Sequence, residues 1–247
     1  AGFEHFITFF SSPYFARVLK NTLRISLYGI VFQFPAAIIL ALLFNEVKNK
    51  LFVKVTQTIV YMPHFISAVV VAGLLTSFLS PSSGFINQLI VKLGGEPIYF
   101  LADSKYFRAI YTIMGIWHNV GFSSIVFIAA LQGVDQQLYE AARIDGAGRL
   151  AQIRYVTIPG ILSTIVIQLI IAVGGIINVG YETIILLYQP ATYETADVIS
   201  TYVYRSGLME GNYSFATAVN IFNSAVSIIL VTIVNKISRK LNETSLW

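Results

Sequence analysis

The chain has 247 residues, of which 56% are hydrophobic and only 11% charged, and its mean hydropathy is +0.72. Soluble domains carry about 25% charged residues, so this sequence cannot solvate a compact water-soluble globule, and its main solvent is lipid. A formal net charge of +4 without a basic stripe argues against a nucleic-acid partner. The lack of cysteine excludes disulfide scaffolds, cysteine nucleophiles and thiolate metal sites.

Residues 1–12 lack the basic start and small-residue cleavage site of a signal peptide, and a chain starting inside a longer one is expected. Five apolar stretches follow, at about 21–44, 55–78, 106–131, 161–188 and 215–234. Each approaches the roughly 20 residues that a membrane-spanning helix needs. An all-α membrane protein with five spanning helices is the expected fold class, as one membrane domain over 1–247. Pro35 and Pro63 are expected to kink their spans, which lipid-embedded helices tolerate. Gly73, Gly115, Gly174 and Gly175 are expected to allow close helix packing. Between the second and third spans, residues 79–105 are turn-rich with an apolar centre, and a small interfacial helix is expected near 85–93.

Orientation follows from the distribution of Lys and Arg. Lys48, Lys50, Lys54, Arg143, Arg149, Arg154, Lys236, Arg239 and Lys240 fall in three fairly short segments on one side. Arg17, Lys20, Arg24, Lys92, Lys105, Arg108 and Arg205 fall in longer segments on the other. The bias places the 45–54 turn, the 133–160 loop and the C-terminal tail in the cytoplasm, with the N-terminal segment and the 79–105 and 189–214 loops outside.

The 133–160 loop, GVDQQLYEAARIDGAGRLAQIRYVTIPG, is long for a connection between spans and reads as helical. Asp135 is placed to cap a first short helix and Asp145 a second, with Gly146 and Gly148 loosening the joint. Ala147, Leu150, Ala151 and Arg154 share one face of the second helix. Small residues at 141, 142 and 146–148 make a surface that fits a partner's groove, and Pro159 suits the first turn of the next membrane helix. Such a cytoplasmic helix–turn–helix, fused to a span, is a lever on that span.

Glu140-Ala141-Ala142, three residues, Gly146, nine residues, Val156, one residue and Ile158-Pro159 resembles the EAA motif of binding-protein-dependent ABC importer permeases. Val156 and Ile158 stand where that family has Ile and Leu. Lys20-Asn21-Thr22-Leu23, Asn45-Glu46-Val47, the 61–67 stretch YMPHFIS, the 193–202 stretch YETADVISTY and the 238–247 tail SRKLNETSLW are similar to the carbohydrate-uptake permeases of the LplB/YteP-type branch. The resemblance covers essentially the whole chain. It implies the type I ABC importer transmembrane fold, in the cytoplasmic (inner) membrane of a bacterium, and uptake of oligosaccharides, often from plant or algal polysaccharides. Members of that branch carry a further N-terminal span, so six spans are expected in the intact chain. The resemblance also implies that Glu140, Ala141, Ala142, Asp145, Gly146 and Pro159 form the loop that couples to a separate ATPase dimer, which holds ATP and Mg, while this chain binds no cofactor. A homologous second permease and an extracytoplasmic sugar-binding protein are the other implied partners.

Within the spans, Glu182 sits in the fourth; a charge at a helix centre costs roughly 2.5–3.5 kcal/mol unless it faces a cavity or a partner, and a place near the outer interface is the alternative, where that cost falls. Asn178 and Gly175 are read one and two turns back on its face, beside Tyr181. Trp117, His118 and Asn119 in the third span, and Asn220 and Asn223 in the fifth, complete a candidate substrate path. Amides hydrogen-bond sugar hydroxyls and aromatic faces cover pyranose rings, while polar glue between helices is the competing role. The sequence has no GxxxxGK[ST], HExxH or GxSxG, which leaves no P-loop hydrolysis, zincin or serine-hydrolase chemistry. A gradient-driven carrier and a non-transporting membrane assembly are the competing classes; the first needs paired broken helices and an internal repeat.

Overall fold

The computed structural model describes residues 2–242 and 245. Glu243, Thr244, Leu246 and Trp247, in the tail that carries part of the resemblance, lie outside the described residues. Helices and turns account for the architecture, and no strand occurs among the described residues.

Among the described residues, three helices are long and apolar enough to cross a bilayer: Phe15–Glu46, Ser104–Gln132 and Tyr213–Lys240. Their 32, 29 and 28 residues exceed the roughly 20 needed for a hydrocarbon core of about 30 Å. Two broken pairs bring the candidates to five: Lys50–Phe65 with Ala68–Phe78, and Arg149–Gly160 with Leu162–Gly174.

Proline accounts for two of the irregularities. A proline at 35 offers no N–H and its ring crowds the carbonyl of Val31; the first helix widens into a π-helical turn over Gly29–Gln33 and resumes at Phe34. At Pro63 the second span tightens into a 3₁₀ turn, Met62–Phe65, and breaks before Ser67 caps the next helix through the Val70 N–H.

The fourth span differs from the sequence expectation. Helix Leu162–Gly174 stops at Gly174, residues 175–180 are not helical, and a separate helix runs from Tyr181 to Leu187. Glycine costs a helix about 1 kcal/mol per residue, and Gly174, Gly175 and Gly180 fall within seven positions. Helical structure begins instead at Arg149 and bends by 64° at Ile161.

By contacts the chain divides into two units: residues 1–29, 65–115 and 175–229, and residues 30–64, 116–174 and 230–247. The first holds two apolar cores. One gathers Ile25, Val71, Phe107, Ile184 and Val198. The other forms around Phe9, fully buried, whose ring meets Phe15 at 5.1 Å, Phe222 at 5.7 Å and Phe215 at 6.2 Å. The expected small helix is present as Phe85–Lys92. Its buried Asn87 donates through Nδ2 to the carbonyls of Leu79, Ser80 and Ile98, and its Oδ1 accepts from the Ile98 N–H at 2.7 Å.

The second unit has one core, built on Ala37, Ala41, Phe127, Leu131, Val134 and Ile161. Helix packing there is closest at Gly121, where a Cβ would lie 2.2 Å from the Val60 carbonyl oxygen. Of the expected close-packing glycines, Gly174 meets the Val231 side chain, whereas a Cβ on Gly73 would meet nothing within 4 Å.

Candidate functional site: the 133–160 loop and the polar clusters

The loop is built from its anchors outward. Asp135 accepts the Gln137 N–H at 2.9 Å and opens helix Gln136–Ile144. That helix ends on Gly146, whose φ of +79° is left-handed. The Ala147 N–H reaches the Ala142 carbonyl at 2.8 Å and the Gly146 N–H reaches the Arg143 carbonyl at 3.0 Å. This is a Schellman closure, which satisfies the last carbonyls and needs a residue free to adopt positive φ. Asp145 is therefore the C-terminal cap of the first helix. The cap of the second is Gly148, without a side-chain bond, which corrects the capping role expected for Asp145.

One face of the loop ties it down. Val134 is buried, with Tyr139 and Val156 packed on the same core. The Tyr139 hydroxyl donates to Thr157 Oγ1 at 3.0 Å, and Gln152 Nε2 donates to the Ala147 carbonyl at 2.8 Å. The other face is free. Glu140, Ala141, Asp145 and Gly146 are exposed and Ala142 half-buried. Ile144 is 86% exposed and Leu150 82%. Burying each of these two aliphatic side chains would be favourable by about 1.5–3 kcal/mol. Ile144 lies on the same exposed surface as the small residues but has no small-residue or capping signal in the sequence. From Arg149 the helix widens into a π turn over Ile153–Thr157, passes exposed Pro159 and meets the 64° bend. Pro159 thus lies two residues before the bend, and the apolar helix proper starts at Leu162.

The candidate path residues fall into two groups. Trp117, His118 and Asn119 lie in the second unit. There the His64 ring stacks on Phe122 at 4.0 Å, its Nδ1 lies 3.1 Å from Asn119 Oδ1, and the His118 ring is 5.9 Å away. His64 therefore packs against Phe122 and contacts two of the three candidates, His118 and Asn119. Asn178, Tyr181, Glu182, Asn220 and Asn223 lie in the first unit. Asn178, Tyr181, Glu182 and Asn220 are exposed there; Asn223 is buried, with its Oδ1 lacking a hydrogen-bond partner. Glu182 is not at a helix centre: it is exposed in the first turn of Tyr181–Leu187, next to Gly180. A carboxylate there favours the helix N-terminus, and because residues 175–180 are not helical, Asn178 and Gly175 do not share a helical face with it, which corrects that expectation.

A second cluster was not visible from spacing. Asp197 is wholly buried and accepts both terminal nitrogens of Arg205, at 2.9 and 2.7 Å, one from Arg17 at 3.2 Å and the Thr201 hydroxyl at 2.8 Å. Asn21 Nδ2 donates to the carbonyls of Asp197 and Glu194, and Asn21 Oδ1 accepts from Arg108. Burial pulls the Arg205 guanidinium down, but its hydrogen bonds to Asp197 and Tyr188 and the Asp197 charge outweigh that and hold it well above its ordinary value. Arg205 also covers the Tyr193 ring at 4.7 Å. Thr201 and Arg205, four and eight positions after Asp197, are the local trace of this network in the sequence.

Residues 33–242 match the family of binding-protein-dependent transport system inner membrane components. The chain belongs to that family. It is 44% identical, over its full length and 77% of the relative's, to the polygalacturonan/rhamnogalacturonan transport system permease protein YteP of Bacillus subtilis. It is 42% identical, with the same coverage, to protein LplB of that organism. Among solved structures, a chain of a bacterial alginate ABC transporter, in complex with an alginate pentasaccharide-bound periplasmic protein, superposes with a TM-score of 0.96. That match has 49% identity and covers all of this chain and 85% of the other. The fold is that of type I ABC importer permeases, and the chain is a multi-pass permease subunit of a sugar ABC importer.

Proposed function

We propose that this subunit forms half of an oligosaccharide pathway across the cytoplasmic membrane and is driven by a separate ATPase dimer docked on the 133–160 loop. The observation that carries the proposal is the Schellman closure at Gly146, which holds exposed Glu140, Ala141, Ile144 and Leu150 on a loop rigidly tied to Leu162–Gly174 through Tyr139, Thr157 and Val134. A partner that moves this surface moves a membrane helix with it. ATP and Mg act on the partner: ATP-driven closure of the ATPase dimer shifts the pathway outward, towards a sugar-loaded binding protein, by as much as the two states differ in affinity for these ligands. The other half of the pathway belongs to a homologous permease.

The substrate is an acidic, uronate-containing oligosaccharide. The polygalacturonan system of one relative and the alginate pentasaccharide of the structural neighbour support that class. Trp117, His118, Asn119, Asn178, Tyr181, Glu182, Asn220 and Asn223 supply the aromatic faces and amides of the path.

The test is gentle detergent co-purification of the intact transporter, with Gly146→Trp and Gly146→Asn. Loss of the ATPase from the first and its retention in the second, since Asn tolerates positive φ, are the expected results. An ATPase that remains bound to Gly146→Trp would sink the docking role of the loop.

A further inference from the structure

The second unit contains a cavity of about 290 Å³, near the lower end of the roughly 300–1,000 Å³ range of small-molecule sites. Three helix faces line it, and it is open on one side. Ala41, Phe44 and Asn45 come from the end of Phe15–Glu46, and Ile128, Leu131 and Gln132 from the end of Ser104–Gln132. Lys50, Lys54 and Gln57 come from the start of the next span, at helical spacing that puts all three on one face. Apolar side chains alternate along its lining with two amines and three amides, and there is no carboxylate among the lining residues.

Its position sets its solvent. Two spanning helices end here and a third begins, so the cavity lies at the level where hydrocarbon gives way to headgroups. The surrounding turn is on the Lys- and Arg-rich side, which faces the cytoplasm and its anionic lipids. On the same helices Leu43, Leu51 and Phe52 are exposed by half or more, as acyl-chain neighbours would be. Lys50 and Lys54 are themselves exposed, and neither forms an ion pair among the described residues.

We infer that this cavity binds the phosphate headgroup of an anionic phospholipid of the cytoplasmic leaflet, with Lys50 and Lys54 on the phosphate, the amides on the glycerol hydroxyls, and Ala41, Phe44 and Leu131 against the glyceride carbons. The site is separate from the 133–160 docking surface and does not depend on the nature of the transported sugar.

Native mass spectrometry of the detergent-solubilised transporter tests it, with phosphatidylglycerol, phosphatidylethanolamine and glycerol 3-phosphate as probes. Phosphatidylglycerol should be retained over phosphatidylethanolamine, and Lys50→Gln/Lys54→Gln should reduce its retention by about tenfold or more. Lys48→Gln, in the same turn but outside the cavity, should leave retention unchanged, and Lys50→Arg/Lys54→Arg, which keeps the charge, should restore it. Equal retention in the Gln double variant overturns the site, as does an equal loss in Lys48→Gln, which would mean diffuse surface charge. Displacement of the lipid by an equal concentration of glycerol 3-phosphate overturns the lipid as occupant and makes this a soluble-anion site.

Discussion

Arg205 lays both terminal nitrogens across the Asp197 carboxylate, at 2.9 and 2.7 Å, and that carboxylate has no access to solvent. The pair joins the 189–214 loop to the first long helix, because Arg17 reaches the same carboxylate and Asn21 holds the Asp197 and Glu194 carbonyls. Removing one partner of a buried pair costs about 3–5 kcal/mol, mostly from the charge left behind. Asp197→Ala strands Arg205 and Arg17 together, so a loss near that range is expected, read as a lower unfolding midpoint in detergent. Arg205→Lys keeps the charge but not the two-pronged geometry and should lose less. An Asp197→Ala protein that melts with the wild type would mean that the network adds no stability.

The same cluster fixes a pH window. Tyr193 is held above its ordinary value by burial and by its hydrogen bond with Tyr188, and Arg205 is also raised. The folded state therefore keeps these protons more tightly than the unfolded chain. Their contribution is complete below the unfolded values and declines as pH rises past them, which for tyrosine begins at about pH 10. The cluster's contribution to the melting midpoint should be flat from neutral pH to about pH 9 and fall at higher pH. Tyr193→Phe should delay that fall, and an identical alkaline profile in the variant would contradict the assignment.

Gly121 and Gly73 make a matched pair of alanine substitutions. A Cβ at 121 would sit 2.2 Å from the Val60 carbonyl oxygen, so the helices must part, whereas one at 73 meets nothing within 4 Å. Overpacking of this kind costs about 1–3 kcal/mol, while a glycine-to-alanine change inside a helix gains up to about 1 kcal/mol. Gly121→Ala should therefore lower the melting midpoint and Gly73→Ala should hold or raise it. The reverse order would refute the close approach at Val60.

The contrast between those glycines shows what the sequence could and could not reveal. Long apolar runs needed no tertiary knowledge, because lipid selects for length and hydropathy alone, and the Phe15–Glu46, Ser104–Gln132 and Tyr213–Lys240 helices follow from them. Which glycine touches a neighbour depends on helix rotation, and Gly73 and Gly121 are alike in one dimension. The 161–188 run was read as one span because hydropathy averages over Gly174, Gly175 and Gly180, whose backbone freedom ends the helix. Glu182 therefore falls in the first turn of a separate short helix and not within one continuous span. The 133–160 loop was more legible, since its capping, turn and small-residue signals are local; Asp145 was misassigned because an aspartate between two helices can end one or begin the next. Thr201 and Arg205 lie four and eight residues from Asp197, but its other partner, Arg17, is 180 residues away, and only folding makes those two neighbours.

Ile144 and Leu150 provide the sharpest separation of docking from folding. Both are more than four-fifths exposed, and neither belongs to a core cluster. Substitutions at such positions shift stability by no more than about 0.5 kcal/mol, so Ile144→Asp and Leu150→Asp should melt with the wild type. If these side chains fill a groove on the ATPase, a carboxylate in their place must be desolvated without a partner, and binding should weaken by more than about tenfold for each. Co-purified ATPase and sugar-stimulated ATP hydrolysis in proteoliposomes should fall together, while a binding protein that docks on the opposite face, as proposed, should be retained. Tyr139→Phe gives the complementary case. It removes the hydroxyl that donates to Thr157 at 3.0 Å and leaves the exposed face intact. The ATPase should then remain bound but drive transport less well, because the loop is no longer stiffly joined to the membrane helix. Full transport with a bound ATPase in Ile144→Asp/Leu150→Asp would place the docking contact elsewhere on the cytoplasmic side.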